Sequence, residues 1–465
     1  MAEEFDLVII GTGSGNSILD ERFEDWRVAI VERDAFGGTC LNRGCIPTKM
    51  LVRPADVILA AQRASRLGVD ASINGVRWRD IRDRVFGRID PIAADGARYR
   101  RDQPHVTVLA GEGRFVGPKE LAVRASDGSE HRISGSRFVL AAGARPIIPE
   151  VIATSGVEVH TSDTIMRIDE VPSRLVIVGG GFIAAELAHV FGSFGAAVTI
   201  VTRGPVLLNG HDEEISRRFT DAQRQRFGVY LRAQVEGLTR HRDQILVAVR
   251  DAAGQLHRLD ADTVLVAVGR QPNSDQLDVA TTGVRTDERG FVHTDATLET
   301  TVPGIFALGD IRTPLMLKHV ANHEARVVAD NLLDPRTPRR IDERFVPHAV
   351  FGSPEVAAVG LSEADARAHG RNVLIGQVDY GATAYGWALE DTTSCCKVVV
   401  DRDSGELLGT HVVGPHASLV IQPAVTAMQF GITASQLART PLYPHPALSE
   451  VLEQALLDAT GAPGS

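Results

Sequence analysis

The chain enters an apolar block almost at once, FDLVII (residues 5–10), and leaves it through the glycine-rich stretch GTGSGN (11–16). A continuous apolar run closed by a turn signal is the pattern of a strand buried on both faces. A second run, RVAIVE (27–32), comes after a polar interval. The same order returns at RLVIVGGGFIAAELA (174–188), which reads as strand, glycine turn and helix, and AVTIV (197–201) stands as its second strand. RFVLAAGARP (137–146) and DTVLVAVGRQPN (262–273) read as buried strands with glycine exits, and GIFALGD (304–310) as a strand ending in Asp310. From about residue 345 the pattern changes to short strands and helices with no further glycine turn. Strands alternating with helices predict an α/β architecture with parallel sheets.

Both glycine turns have the spacing of a dinucleotide fingerprint. Gly11 and Gly13 fill the first two places, for the tight turn and the close approach of backbone to pyrophosphate, but the third place holds Asn16. A helix is expected after this turn, packed less closely on its sheet than Gly or Ala would allow. The strand RVAIVE ends at Glu32, where an acid can hold ribose hydroxyls. In the second repeat Gly179, Gly181 and Ala184 fill all three places. Its second strand runs into Thr202 and Arg203 rather than an acid, and an arginine there can pair with the 2′-phosphate of NADP. One such turn is a weak signal. Two in one chain imply two bound dinucleotides.

Composition narrows the class. At 465 residues the chain is too long for one core and is expected to hold two to four domains. The proline-marked crossings at Pro146, Pro149 and Pro272 divide it into 1–145, 146–272, 273–344 and 345–465. A formal charge of −10 argues against a nucleic-acid partner. No apolar run reaches the roughly 18 residues of a membrane span. MAEEFDLVII lacks the basic and small-residue features of a secretory signal, so a cytoplasmic location is expected. Lysine occurs only at Lys49, Lys119, Lys318 and Lys397, against 45 arginines, which makes any lysine beside a reactive site worth weighing.

The segment GGTCLNRGCIPTK (37–49) carries two of the four cysteines, Cys40 and Cys45. Four cysteines are too few for a disulfide-stapled scaffold, so metal binding, buried packing and redox chemistry remain open for the pair. Zinc wants about four ligands, and Cys395 and Cys396 are adjacent in a strand-like run where side chains alternate faces. No metal is expected. Five positions apart on a regular helix, two Cα atoms stand roughly 8–9 Å from each other, beyond the about 7 Å a disulfide tolerates. The pair can close only on a distorted chain, which Gly44 and Pro47 permit.

Taken in order, GGTCLNRGCIPTK, the two glycine units, FALGD, FGSPEVAAVG (351–360) and HPALSE (445–450) resemble the flavoprotein pyridine nucleotide–disulfide oxidoreductases over essentially the full chain. The resemblance implies two Rossmann-like domains, one for FAD and one for NAD(P), and a C-terminal α+β dimerisation domain. Carried over position by position, it implies that Cys40 attacks the substrate disulfide and that Cys45 lies against the flavin. Lys49 would sit by the flavin and pair with Glu186, and Phe182 would gate the nicotinamide. His445 would be the acid–base residue, oriented by Glu450, with Pro446 starting a helix that places His445 at its cap and Glu450 in its second turn. Gly11, Gly13, Gly15, Glu32, Gly38, Thr39, Gly113, Ala142, Gly143 and Asp310 would hold FAD. Gly179, Gly181, Ile183, Thr202, Arg203, Gly269 and Arg270 would line the nicotinamide nucleotide's path. The active unit would be a homodimer with shared sites.

Within the family the short run from GTGSGN to WRVAIVERD looks most like the members that reduce mycothiol disulfide. Thr202–Arg203 fits NADPH better than NADH. Lipoamide dehydrogenase, or a related quinone-active flavoprotein, is the alternative. A non-enzymatic FAD-binding protein is disfavoured by the intact thiols and His–Glu pair. Cys395 and Cys396 read as buried strand thiols.

Overall fold

The computed structural model describes residues 2–242 and 244–461. Its first unit gathers Met1–Thr48, Asp80–Ile147 and Gly269–Asp342. The first apolar block forms β1 (Glu3–Ile10), and RVAIVE forms β2 (Val28–Glu32). With β3 (Val106–Ala110), β4 (Glu112–Gly117), β5 (Glu120–Arg124) and β6 (Glu130–Leu140) they make one sheet in the order β3-β2-β1-β6-β5-β4. The β3-β2-β1-β6 run is parallel, and β4 and β5 join it antiparallel. The long β6 pairs β5 through its first half and the short strand Ile305–Ala307 through its second. Leu7, Ile9, Ile30 and Val139 are sealed on one face of this sheet, and Val8, Ile10, Val31 and Leu140 on the other. Burial on both faces explains the unbroken apolar blocks.

This arrangement brings the C-terminal ends of β1, β2, β6 and Ile305–Ala307 to one edge. That edge is where open parallel sheets bind ligands. Two expectations need correction there. Asp310 does not end the strand, which stops at Ala307; it lies in the 3₁₀ turn Gly309–Ile311. No α-helix succeeds the first glycine turn either. Residues Gly15–Ile18 and Glu21–Phe23 form two separate 3₁₀ turns. Asn16, Ser17 and Asp20 favour bonds that compete with a helix, and Asp20 caps a new turn by accepting from Arg22 N.

The carbonyls that a helix would have satisfied are taken by Arg100, which sits near the end of the helix Trp78–Arg101. Its buried guanidinium donates to Asn16 O at 2.7 Å, Leu19 O at 3.1 Å and Asn16 Oδ1 at 2.7 Å.

The second unit gathers Lys49–Arg79, Ile148–Val268 and Glu343–Ser465. Here β7 (Arg174–Val178), β8 (Ala197–Val201), β9 (Gly228–Tyr230) and β10 (Thr263–Val266) form a parallel sheet in the order β9-β8-β7-β10. The helix Phe182–Ser193 succeeds its glycine turn as expected and is buried over most of its length. The C-terminal part folds as a five-stranded antiparallel sheet backed by helices, including Glu450–Ala459. The fold is therefore mixed α/β with an α+β C-terminal part. Among the described residues no helix is long and apolar enough to cross a membrane.

Candidate active site

The first glycine turn leaves β1 under close constraint. Gly11 has φ +102°, and a Cβ there would stand 2.3 Å from the Ala141 carbonyl oxygen, so only glycine fits. The tight packing that the fingerprint assigns to its third place, here Asn16, is made one residue earlier. A Cβ on Gly15 would stand 2.7 Å from Ala141 Cβ and 3.1 Å from Ile9 Cγ2. Thr12 ties the turn to the end of β2, donating from N and Oγ1 to Glu32 Oε2 at 2.9 and 2.6 Å. Gly113 sits close to Val31, and the Ala142 and Gly143 carbonyls accept from the side chain and backbone of Asn273. Asp310 is half-buried, and burial pushes its carboxyl up against the opposing charges of Arg270 and Lys318.

Gly38, at φ +64°, packs on Gly13 so closely that a Cβ would stand 2.7 Å from the Gly13 Cα. It opens helix α1 (Gly38–Arg43), which begins with Thr39 and Cys40. Asn42 anchors this helix by donating to the carbonyls of Ala35, Phe36 and Gly38. The chain then breaks at Gly44, where a Cβ would stand 2.9 Å from Thr39 O, before restarting as α2 (Cys45–Arg63) with Pro47 in its first turn. Two helices with a glycine joint replace the regular helix that would have kept the cysteines apart. Cys40 is half-buried and Cys45 is exposed, both are free thiols, and they stand near enough for Cys45 to act on the Cys40 thiol. The neighbouring Cys45 and burial push the Cys40 thiol well up, and the Lys318 charge opposes them. A half-buried glycine turn, a strand-end carboxylate, a second carboxyl and a thiol pair in the same unit fit a flavin dinucleotide.

In the second unit Gly179, at φ +130°, would bring a Cβ to 2.1 Å from Ala267 O, repeating the device seen at Gly11. Gly181 caps helix α3 (Phe182–Ser193) in open space, and Phe182 is exposed beside half-buried Ile183. Glu186 on α3 is buried. It accepts from Lys49 Nζ on α2 at 2.8 and 2.9 Å and from Phe351 N at 2.9 Å, while the Lys49 ammonium stands over the Phe351 ring. Beyond β8, the Thr202 hydroxyl lies against Gly180 and Arg203 is exposed. Exposed Arg232 donates its backbone N–H to Gly204 O at 2.9 Å, so a second arginine borders the same turn. In the first unit, Gly269, at φ +136°, precedes Arg270, whose guanidinium donates to Ala144 O at 2.6 Å.

His445 and Glu450 meet, but not on one helix. The helix α4 (Glu450–Ala459) starts at Glu450, and His445 lies in the loop before it, joined to Pro446 by a cis peptide bond. Glu450 stands in the first turn, not the second. Its carboxylate takes the role of a cap, accepting from Ala447 N at 2.9 Å and from His445 Nδ1 at 2.7 Å. Burial pushes Glu450 up, but the His445 hydrogen bond and the Ala447 N–H outweigh it and hold the carboxyl below its ordinary range. An ionised Glu450 fixes the imidazole through Nδ1 and leaves Nε2 for proton transfer.

Cys395 and Cys396 are buried in the strand Cys395–Asp401, and burial pushes both thiols up, Cys395 to about 12. Thiols so disposed are inert packing groups. Among the described residues no cluster of three or more His, Cys, Asp or Glu side chains could hold a metal ion. Sequence reasoning missed Asn273, Phe351, Arg232 and the pair Lys318–Ser14. Lysine scarcity was the one signal that pointed to Lys318.

Comparison with known proteins agrees with this geometry. Residues 5–325 match the family model "Pyridine nucleotide-disulphide oxidoreductase", and 346–456 match its dimerisation domain. The chain is 48% identical over 463 residues to a mycothione reductase of Mycobacterium tuberculosis, covering 98% of this chain and 99% of that protein. It is 31% identical to a dihydrolipoyl dehydrogenase of Bacillus subtilis, with 99% of each covered. Among solved structures it resembles the HOCl-induced flavoprotein disulfide reductase RclA from Escherichia coli. There the TM-score is 0.84 at 27% identity, over 98% of this chain and 99% of the other for its Cu(II) complex.

Proposed function

Because the chain belongs to the pyridine nucleotide-disulphide oxidoreductases and is an FAD-dependent disulfide reductase, we propose that it uses NADPH to reduce mycothiol disulfide to mycothiol in the cytoplasm. The observation that carries the chemistry is the pair of free thiols, Cys40 in one helix and Cys45 at the start of the next, brought together across the Gly44 joint. Near-identical length and 48% identity to a mycothione reductase support the substrate. Arg203 and Arg232, with no acid between Ala197 and Gly210 to repel a 2′-phosphate, support NADPH.

Cys40 attacks one sulfur of the substrate disulfide as a thiolate, forming a mixed disulfide and expelling the first thiol. His445, steadied by Glu450, takes the Cys40 proton and returns it to the leaving thiolate. Cys45 then attacks the Cys40 sulfur, which releases the second thiol and closes the Cys40–Cys45 disulfide. FAD, when bound, supplies the passage of NADPH's electron pair back to that disulfide. Lys49, held by Glu186, adds positive charge on the flavin side, and Gly11, Gly13, Glu32, Gly38, Thr39 and Asp310 hold the dinucleotide.

The acid–base histidine comes from a second copy of the chain. Three large apolar side chains of the dimerisation domain support this, since Leu442 is 98%, Phe430 77% and Leu419 70% exposed on the single chain. Obligate dimers cover such groups. Two measurements test the proposal. NADPH turnover with mycothiol disulfide should exceed that with glutathione disulfide or lipoamide by at least about tenfold, a gap of about 1.4 kcal/mol; a preference for lipoamide with NAD would mark a dihydrolipoyl dehydrogenase instead. Mixed Cys40→Ala and His445→Ala chains should regain activity after subunit exchange, because one site of each heterodimer is then intact. Continued inactivity after proven exchange would show that each chain uses its own histidine.

A further inference from the structure

Three of the four lysines have evident partners. Lys49 bonds Glu186, Lys397 bonds Asp212 and Glu363, and Lys119 donates to the Ser136 carbonyl. Lys318 is different. Its Nζ donates to Ser14 Oγ, inside the first glycine turn, at 2.8 Å, and Ser14 Oγ donates onward to Asn322 Oδ1 at 3.0 Å. Among the described residues no carboxylate pairs with it. The side chain is half-buried, so its charge is not simply surrendered to bulk water.

Its position on the chain sharpens the question. Lys318 is the first residue of the helix Lys318–Leu333, whose N-terminus gains no side-chain cap. A cation there opposes the helix dipole and costs stability. A residue that breaks a local rule without a structural gain points to function. The groups around it define what it serves. Ser14 belongs to the turn, Gly38 packs on Gly13 of the same turn, and the Asp310 carboxyl and Cys40 thiol both feel the Lys318 charge. Among the described residues, this ammonium, pinned to a glycine turn by a buried serine, has no anion hydrogen-bonded to it, although the Asp310 carboxyl lies within reach of its charge.

We propose that Lys318 neutralises the pyrophosphate of the FAD held by this turn, with Ser14 and Asn322 fixing the ammonium in place. The proposal rests on the FAD-binding reading of the first unit. Backbone N–H groups alone supply partial charges, whereas a pyrophosphate carries two formal negative charges. Lys318 supplies the counter-charge from a helix remote in sequence.

The test measures release of FAD from the purified holoenzyme, monitored as flavin fluorescence recovering on dilution, at low and high salt. Lys318→Gln should release FAD about 10–100-fold more readily at low salt, the scale of one charge-assisted hydrogen bond. Wild-type release should accelerate with salt while the variant's changes little, and Lys318→Arg should restore most of the retention and the salt dependence. Release from Lys318→Gln within twofold of wild type would overturn the proposal. So would a loss of retention with unaltered salt dependence, which would mark a packing role. A change confined to the alkylation rate of Cys40 would show that the cation serves the thiol instead, and would overturn it too. Wild-type protein that purifies without FAD would refute the underlying FAD reading, whichever variant is compared.

Discussion

The two glycine turns open in the same way and continue differently. Seventeen residues separate Ile10 from Val28, and eighteen separate Val178 from Ala197. In both, the first glycine passes under a carbonyl of a neighbouring crossing, Ala141 for Gly11 and Ala267 for Gly179. After that point the second connection forms a twelve-residue buried helix, whereas the first forms two 3₁₀ turns. The second is rich in Ala and Phe, which need only a sheet to pack against. The first carries Asn16, Ser17 and Asp20 and has an arginine from another helix to satisfy its carbonyls. Length and fingerprint define where a dinucleotide turn starts. Composition and a remote partner decide whether the chain leaves it as a helix.

The largest effect should come from the shared feature. Gly179→Ala forces a methyl group into the Ala267 carbonyl at a backbone angle that disfavours side chains. It should cost on the order of 3 kcal/mol or more, and the variant should lose binding of the nicotinamide nucleotide. Gly181→Ala, two residues on, meets nothing within 4 Å and should cost well under 1 kcal/mol. Urea unfolding midpoints measure both. Equal costs would mean that the close approach of Gly179 is not what holds the turn.

Next comes the feature peculiar to the first unit. Arg100→Met keeps most of the side chain's apolar packing but leaves the Asn16 and Leu19 carbonyls without their donor. The loss should be about 2–4 kcal/mol, from two buried acceptors at about 1–2 kcal/mol each. It should appear as earlier unfolding and earlier release of FAD. A variant that unfolds with the wild type would show that the 3₁₀ turns stand without Arg100.

This contrast also explains what could be read from the sequence. Buried strands announce themselves as unbroken apolar blocks, and the Gly44 joint was visible because two cysteines five apart need one. The absence of the first helix was not visible, because its cause lies at Arg100, eighty-four positions away. Asp20, a helix-capping residue in the middle of a supposed helix, was the local hint. The start of the last helix at Glu450 rather than Pro446 has the same origin. The carboxylate that orients His445 also caps the backbone, and neither bond can be inferred from periodicity. Arg232 and Asn273 reach their places by strand pairing and loop return, which spacing along the chain does not encode.

The ends of the second strands differ as well, Glu32 in one unit and Thr202–Arg203 in the other. Arg203→Ala should raise KM for NADPH about tenfold and leave NADH unchanged, with kcat little altered, since a charge-assisted contact to phosphate is worth about 1.5–3 kcal/mol before screening at an exposed site. Arg232→Asn, which tolerates the left-handed backbone at φ +49°, should have a smaller effect of the same kind. Equal loss with NADH would show that these arginines support the fold and not the 2′-phosphate.

The smallest effect separates fingerprint logic from the structure most cleanly. By the fingerprint, Asn16→Ala restores the third place to the residue found at Ala184, and the first turn should tighten. The structure predicts the opposite. The close approach is already made by Gly15, and Asn16 already carries the Cβ that Ala would keep, so the substitution adds no atom that could tighten the turn. What the substitution removes is the Asn16 Oδ1 acceptor, 2.7 Å from Arg100 Nε, leaving one donor of a buried guanidinium without its partner. Asn16→Ala should therefore destabilise the holoenzyme by about 1–2 kcal/mol. Paired with Arg100→Met, the double variant should cost less than the two single losses added together, because both remove the same bond. Stabilisation by Asn16→Ala, or full additivity with Arg100→Met, would return position 16 to the packing role that its place in the fingerprint assigns.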